Sequence, residues 1–115
     1  MSVTIYHNPR CSKSRKTLEL LRSRGIKPVI IEYLKVPPTR KKLKEILTML
    51  KLEPRELMRI NESIYKEKGL ADPSLSRDQL VSAMVENPVL IERPIVITGG
   101  KAVIGRPPEN VLKII

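Results

Sequence analysis

The only cysteine of the chain, Cys11, stands where a thiol can act as a nucleophile. It follows a predicted strand over 3–6 and precedes a predicted helix over about 12–24. The free N–H groups and the positive dipole end of such a helix stabilise a thiolate, and Arg10 and Arg15 add positive charge. The same groups can hold an oxyanion. The position therefore predicts thiolate chemistry beside an anion site, with an inert capping residue as the alternative.

Two residues that follow Cys11 narrow this chemistry. Ser14 occupies the position of the second cysteine in a C-x-x-C pair, so an internal dithiol–disulfide cycle of that kind is excluded. Thr17 occupies the position where a cysteine-phosphatase loop has its arginine. Because the chain has one Cys and one His, no Cys/His metal cluster is expected. No bound cofactor is expected either. The thiol that regenerates Cys11 must then come from another molecule.

Three polar side chains close to Cys11 are further candidates. His7 favours the thiolate if it is protonated and near the sulfur, and it is otherwise a turn histidine with a satisfied hydrogen bond. Asn8 and Ser14 either cap the helix or donate to a bound anion.

Three arginines further along the chain could bind an oxyanion, because a guanidinium pairs with oxyanions through two parallel hydrogen bonds. Arg93 and Arg106 flank a predicted hairpin, where loops meet strand ends and open α/β sheets carry their sites. Arg59 lies in a predicted helical segment. Each arginine taken alone is better explained as a solvent-exposed side chain than as a functional one.

The elements that must position these residues follow from the hydrophobic pattern. The apolar run over 29–34 predicts a buried, parallel second strand. Helices are predicted to begin after Thr39, at Pro54, near 62 and near 77.

The last segment changes period and predicts a hairpin around Gly99-Gly100, followed by a closing helix over 109–115. The order β-α-β, helices, β-β-α defines an α/β class with a four-stranded mixed sheet. We predict a single domain over 1–115, with a helical insertion over about 39–87 between the second and third strands.

Composition limits the classes of partner. The net charge is +10, and residues 1–60 carry all of the excess, with 15 Lys+Arg against 5 Glu. That asymmetry suggests nucleic acid, an acidic partner or an anionic substrate, or else a solvated face. Phe and Trp are absent and Tyr occurs three times, which argues against nucleic-acid binding through stacked aromatics.

No apolar stretch is long enough for a membrane helix, and the single cysteine suits the cytoplasm.

Four motifs together resemble the glutaredoxin-linked arsenate reductase family across essentially the whole chain. They are Tyr6-His7-Asn8-Pro9-x-Cys11-x-x-Ser14-Arg15, Tyr33-Leu34-x-x-Pro37-Pro38-Thr39, Gly69-Leu70-Ala71 and Glu92-Arg93-Pro94-Ile95-Val96. The runs Arg10-Cys11-Ser12-Lys13 and Arg106-Pro107-Pro108-Glu109 are more similar to the short arsenate-reductase-like subgroup.

The resemblance implies a thioredoxin-like fold with a helical insertion and a specific chemistry. It assigns the redox-active nucleophile to Cys11 and the assisting histidine to His7. The oxyanion-binding arginines fall on Arg59, Arg93 and Arg106, and the thioredoxin-type cis-proline on Pro94. The implied reaction is reduction of arsenate, or a related oxyanion, with glutathione as co-substrate and glutaredoxin as partner.

Three alternatives to this oxidoreductase remain, and the missing aromatics count against the third, direct nucleic-acid binding. One is a redox-responsive regulator of the same fold that binds RNA polymerase, although its usual C-x-x-C pair is interrupted by Ser14. Another is a general monothiol oxidoreductase. Direct nucleic-acid binding through the basic first half would show a steep loss of affinity with salt.

Overall fold

The computed structural model describes residues 2–115 and contains a four-stranded sheet. Its strands are β1 (Val3–His7), β2 (Val29–Glu32), β3 (Ile95–Thr98) and β4 (Lys101–Ile104), in the order β2-β1-β3-β4. β1 pairs parallel with β2 and antiparallel with β3, and β3 pairs antiparallel with β4. The predicted mixed sheet is confirmed. Gly99 and Gly100, with φ of 56° and 75°, make the two-residue turn of the hairpin.

Helix α1 (Ser12–Ser23) connects β1 to β2 and packs on the sheet. Its apolar face buries Leu18 and Leu21. The rest of this core is formed by the buried side chains of Val3, Ile5, Val96 and Val111. The helix ends because Gly25 takes a left-handed φ of 74° and donates its N–H to the Arg22 carbonyl. The core thus fixes the helix whose first turn carries Cys11.

Four helices lie between β2 and β3, as predicted: α2 (Arg40–Leu50), α3 (Pro54–Leu57), α4 (Ser63–Glu67) and α5 (Arg77–Glu86). Thr39 caps α2 through a hydroxyl that accepts from the Lys42 N–H at 3.1 Å. Ser76 and Gln79 form the capping box that begins α5. The spacing of buried residues in α2 gives it one apolar face, formed by Leu43, Ile46 and Leu47.

The chain divides into two compact units. One combines Met1–Val36 with Arg93–Ile115 and contains the sheet and α1, and the other is Pro37–Glu92 and contains α2–α5. A short 3₁₀ helix, Pro88–Leu90, follows α5 in the helical unit. That the chain works as a single domain stays a prediction.

Two predicted elements differ in the structure. The second strand is parallel as expected, but it is an edge strand rather than a buried one, and Val29 is 57% exposed. Only β1 flanks it in the sheet.

The predicted closing helix is a 3₁₀ helix, Pro108–Lys113, rather than an α-helix. Val111, within this helix, is buried in the core of the sheet unit, and Ile114, just after it, packs against that core.

Candidate active site

Cys11 occupies the N-cap position of α1, with extended φ and ψ of −92° and 123°. Its backbone N–H donates to the Asn8 carbonyl at 3.0 Å, and its carbonyl accepts from the Arg15 N–H at 3.0 Å. The side chain is half-buried, and the thiol does not cap the helix through a side-chain hydrogen bond. The sulfur therefore stands at the open end of a helix of 12 residues, where unpaired N–H groups gather.

The surroundings of Cys11 lower the pKa of its thiol. Partial burial opposes the thiolate and is the largest single influence. The backbone N–H of Ser14, the guanidinium of Arg93 and the backbone N–H of Lys13 together outweigh it. The thiolate is thus stabilised by the first turn of the helix and by one distant arginine.

Arg93 is the arginine that stabilises the thiolate, rather than the sequence neighbours Arg10 and Arg15. It lies just before β3, and its guanidinium interacts with both the Cys11 sulfur and Tyr33. Burial opposes its charge, but these partners raise the pKa of Arg93 above its ordinary value. Arg15 instead donates to the Pro9 carbonyl at 3.0 Å and so braces the turn before the helix. The sequence prediction of the supporting charges was wrong on this point.

His7 and Ser14 form a buried pair beneath the Cys11 turn. The His7 Nδ1 and Ser14 Oγ atoms are 2.6 Å apart, and the same oxygen accepts from the Asn8 N–H at 3.0 Å. Burial is the main cause that lowers the pKa of His7, with Arg22 and Arg15 acting in the same direction against Glu32. The neutral imidazole is therefore the main form near pH 7. This setting disfavours the predicted help from a protonated His7 and makes the pair a hydrogen-bonded support.

Asn8 acts within the turn. Its side-chain Oδ1 accepts from the Arg10 N–H at 3.0 Å, which closes an Asx turn just before Cys11. This bond is neither of the two roles predicted for Asn8, which were capping of the helix and donation to an anion; the second stays a prediction.

Arg106 extends from the end of β4 in the same unit, and its side chain is exposed. The residue before it, Gly105, is buried and donates its N–H to the Pro94 carbonyl at 2.9 Å. A Cβ at Gly105 would lie 2.7 Å from Thr17 Oγ1 and 2.9 Å from Pro94 Cγ. This close approach joins the start of the Arg106 loop to α1 and to Pro94.

The peptide bonds Arg93–Pro94 and Arg106–Pro107 are both cis. The resemblance implied the first. Nothing in the sequence analysis indicated the second, because cis is the minority isomer of X–Pro bonds.

Arg59 belongs to the helical unit, where two carboxylates hold it. Its Nε atom is 3.4 Å from Glu62 Oε2, and its Nη1 atom is 3.2 Å from Glu92 Oε1. Its backbone N–H donates to the Leu90 carbonyl at 2.7 Å. Its role in binding an oxyanion stays a prediction.

The sequence analysis missed Tyr33, Thr17 and Asn110 as parts of the site's support. Tyr33 is 1% exposed and contacts Arg93. Thr17 was considered only as a missing arginine, yet it is fully buried and contacts Gly105. The apolar pattern could not indicate these residues, because each acts through polar atoms. Tyr33 and Thr17 act on partners far away in sequence, and Asn110 donates to the carbonyls of Ile104 and Arg106.

Within residues 2–115, no group of three or more His, Cys, Asp or Glu side chains could hold a metal ion. In the same part of the chain, no helix is both long and apolar enough to cross a membrane.

The sheet order, the helices inserted between β2 and β3 and the cysteine at the start of α1 define a thioredoxin-like fold. An arsenate reductase from Vibrio cholerae has the same fold, with a TM-score of 0.98 and 54% identity, and the match covers 100% of this chain and 98% of that one.

The chain belongs to the ArsC family, whose model matches residues 6–114. It is 55% identical to the Escherichia coli K12 protein YfgD over 98% of this chain and 96% of that protein. It is 49% identical to an arsenate reductase from Haemophilus influenzae over 100% of both chains.

Proposed function

We propose that this protein is a monothiol oxidoreductase that reduces arsenate to arsenite with glutathione and glutaredoxin. The observation that carries the proposal is the lowered pKa of the Cys11 thiol. The N-terminus of α1 and the guanidinium of Arg93 stabilise the thiolate. A thiolate held against a guanidinium suits attack on an anionic oxyacid, because the arginine can neutralise the incoming charge. The names of relatives at 48–49% identity support arsenate as the oxyanion.

In the first step the Cys11 thiolate attacks arsenic and forms an S–As bond. One arsenate oxygen leaves as water after it is protonated, and arsenic stays pentavalent. Arg93 binds the charged oxygens during this step, and Arg106 and Arg59 are proposed to complete their binding. His7 and Ser14 keep the turn in place beneath the sulfur.

In the second step a glutathione thiolate attacks the Cys11 sulfur. The electron pair of the S–As bond passes to arsenic, which leaves as trivalent arsenite. Cys11 is then held in a mixed disulfide with glutathione. A glutaredoxin thiolate attacks the glutathione sulfur of that disulfide and returns Cys11 as a thiolate. External thiols are needed because Cys11 is the only cysteine of the chain.

The test is a coupled assay with arsenate, glutathione, glutaredoxin, glutathione reductase and NADPH. We expect arsenate-dependent NADPH oxidation by the wild-type protein and background rates for Cys11→Ser. Ser12→Ala is the matched control, because Ser12 is exposed and adjacent to Cys11. Equal activity of wild type and Cys11→Ser would refute the proposal.

A general monothiol oxidoreductase is the second candidate, because the same lowered Cys11 pKa suits attack on a disulfide. Omitting arsenate and supplying a glutathionylated peptide discriminates the two. Turnover of the peptide together with no response to arsenate would favour this candidate.

A further inference from the structure

Three successive carbonyl groups at the end of β4 each accept a side-chain hydrogen bond. The Asn110 amide donates to the carbonyls of Ile104 and Arg106, at 3.2 and 3.1 Å. The Thr17 hydroxyl, also 2.8 Å from the Lys13 carbonyl, lies 3.1 Å from the Gly105 carbonyl between them. The backbone that carries Arg106 is therefore held from both sides.

Both donors of the Asn110 amide are used by these two carbonyls, because an amide NH₂ has only two N–H groups. Asn110 lies in the 3₁₀ helix Pro108–Lys113, and this pair of bonds closes the loop between β4 and that helix. Its side chain thus bridges the residues on either side of Gly105.

The position of this backbone matters because Arg106 is exposed and long. A guanidinium at the end of a long side chain meets an anion only where its Cα allows, so a displaced Cα reduces the fraction of productive conformations. Thr17 and Pro94 pack so closely on Gly105 that the loop has one well-defined path.

We propose that Asn110 is a positioning residue that sets Arg106 for oxyanion binding, with Thr17 in support. The inference rests on the proposed function, because it takes Arg106 as part of the oxyanion site. Asn110 acts through the backbone of Arg106 and makes no contact with the oxyanion.

The experiment measures arsenate protection of Cys11 against iodoacetamide, read by mass spectrometry in the absence of glutathione. We expect Asn110→Ala to raise the arsenate concentration that gives half-protection about fivefold to tenfold. A loss of this size corresponds to the net contribution of about one hydrogen bond. The control is Asn87→Ala, which removes a similar Asn side-chain bond to the Ala83 carbonyl at 3.1 Å in the helical unit. This control should match wild type.

A double-mutant cycle separates positioning from general damage. In an Arg106→Ala background, Asn110→Ala should have no further effect on protection by arsenate. An equal additional loss in that background would overturn the inference. The rate of alkylation without arsenate should stay at the wild-type value in Asn110→Ala, since Cys11 is stabilised by other groups.

Thr17 provides a second route if Asn110→Ala unfolds. Thr17→Val removes the hydroxyl that reaches the Gly105 carbonyl, whereas Thr17→Ser retains it. We expect weaker arsenate protection in the valine variant and wild-type protection in the serine variant. Full protection in Thr17→Val, or in a folded Asn110→Ala, would overturn the inference while leaving the proposed function intact. An unprotected wild-type protein would refute the proposed function itself, and the inference with it.

Discussion

The guanidinium of Arg93 lowers the pKa of the Cys11 thiol, although the two residues come from opposite ends of the chain. The contact is made possible because β1 and β3 are adjacent in the sheet, so the loop after one strand meets the loop before the other. The order of the strands thus brings Arg93 to Cys11, and Arg93 favours the charged thiolate.

Arg93→Ala is expected to raise the pKa of the Cys11 thiol. The substitution removes a hydrogen bond and a positive charge that favour the thiolate, while the effect of burial remains. The measurement is the rate of iodoacetamide alkylation as a function of pH. Arg10→Ala, in which an exposed arginine adjacent to Cys11 is removed, is the control. An equal change in both variants would show that the effect of Arg93 is not specific.

Ser14→Ala is expected to lower the free energy of unfolding by about 1–3 kcal/mol. Ser14 is fully buried, and its loss leaves both the His7 Nδ1 atom and the Asn8 N–H without this partner. Urea unfolding provides the measurement. Ser23→Ala, at an exposed serine of the same helix, should change stability by less than about 0.5 kcal/mol. Equal stability of the two variants would contradict the role given to Ser14.

His7 is expected to make the protein less stable in mild acid. Its folded pKa is lowered, so the unfolded chain binds more protons as the pH falls. The contribution of His7 to stability is complete above its unfolded pKa of about 6.5 and is lost as the pH falls through the lower folded pKa. Unfolding free energies measured between about pH 7 and pH 5 test this, and His7→Asn should flatten the decline. A slope unchanged by His7→Asn would assign the acid sensitivity to other groups.

Gly105→Ala is expected to cost about 1–3 kcal/mol of stability, because its Cβ would overlap Thr17 and Pro94. Thr17→Ala removes two of the three overlapping atoms, so the double variant should be more stable than the sum of the single effects. The control is Gly25→Ala, whose Cβ would meet no atom within 4 Å and whose cost comes from its φ of 74°. Thr17→Ala should leave that cost unchanged. Strict additivity at Gly105 would exclude the steric explanation.

The sequence predicted the local elements well, because each has a local signal. The hairpin around Gly99-Gly100 and the capping box of Ser76 and Gln79 depend on residues close together in the chain. The burial of β2 was predicted wrongly, since an apolar run does not show whether a strand has one neighbour or two.

The candidate site divides in the same way. The position of Cys11 at the start of α1 was predicted correctly, because a strand pattern, a turn and a helical pattern follow one another around it in the sequence. The partnership of Arg93 with Cys11, and the packing of Gly105 on Thr17, depend on pairing between distant segments. Such contacts leave no periodic signal. The position of Arg93 beside a strand made it a candidate for oxyanion binding, but nothing in the sequence paired it with Cys11.

The exposed edge strand β2 also bears on the solubility of the protein. Val29 and Ile30 are 57% and 40% exposed, on an edge whose backbone groups could pair with another chain. Lys27 and Pro28 precede this strand and Lys35 follows it, and both lysines are exposed. Charge and the missing proline N–H are the features by which natural edges resist aggregation. Two of the residues that make the net charge positive thus flank the apolar edge strand β2. Replacing both lysines with neutral residues would make the protein more prone to aggregate.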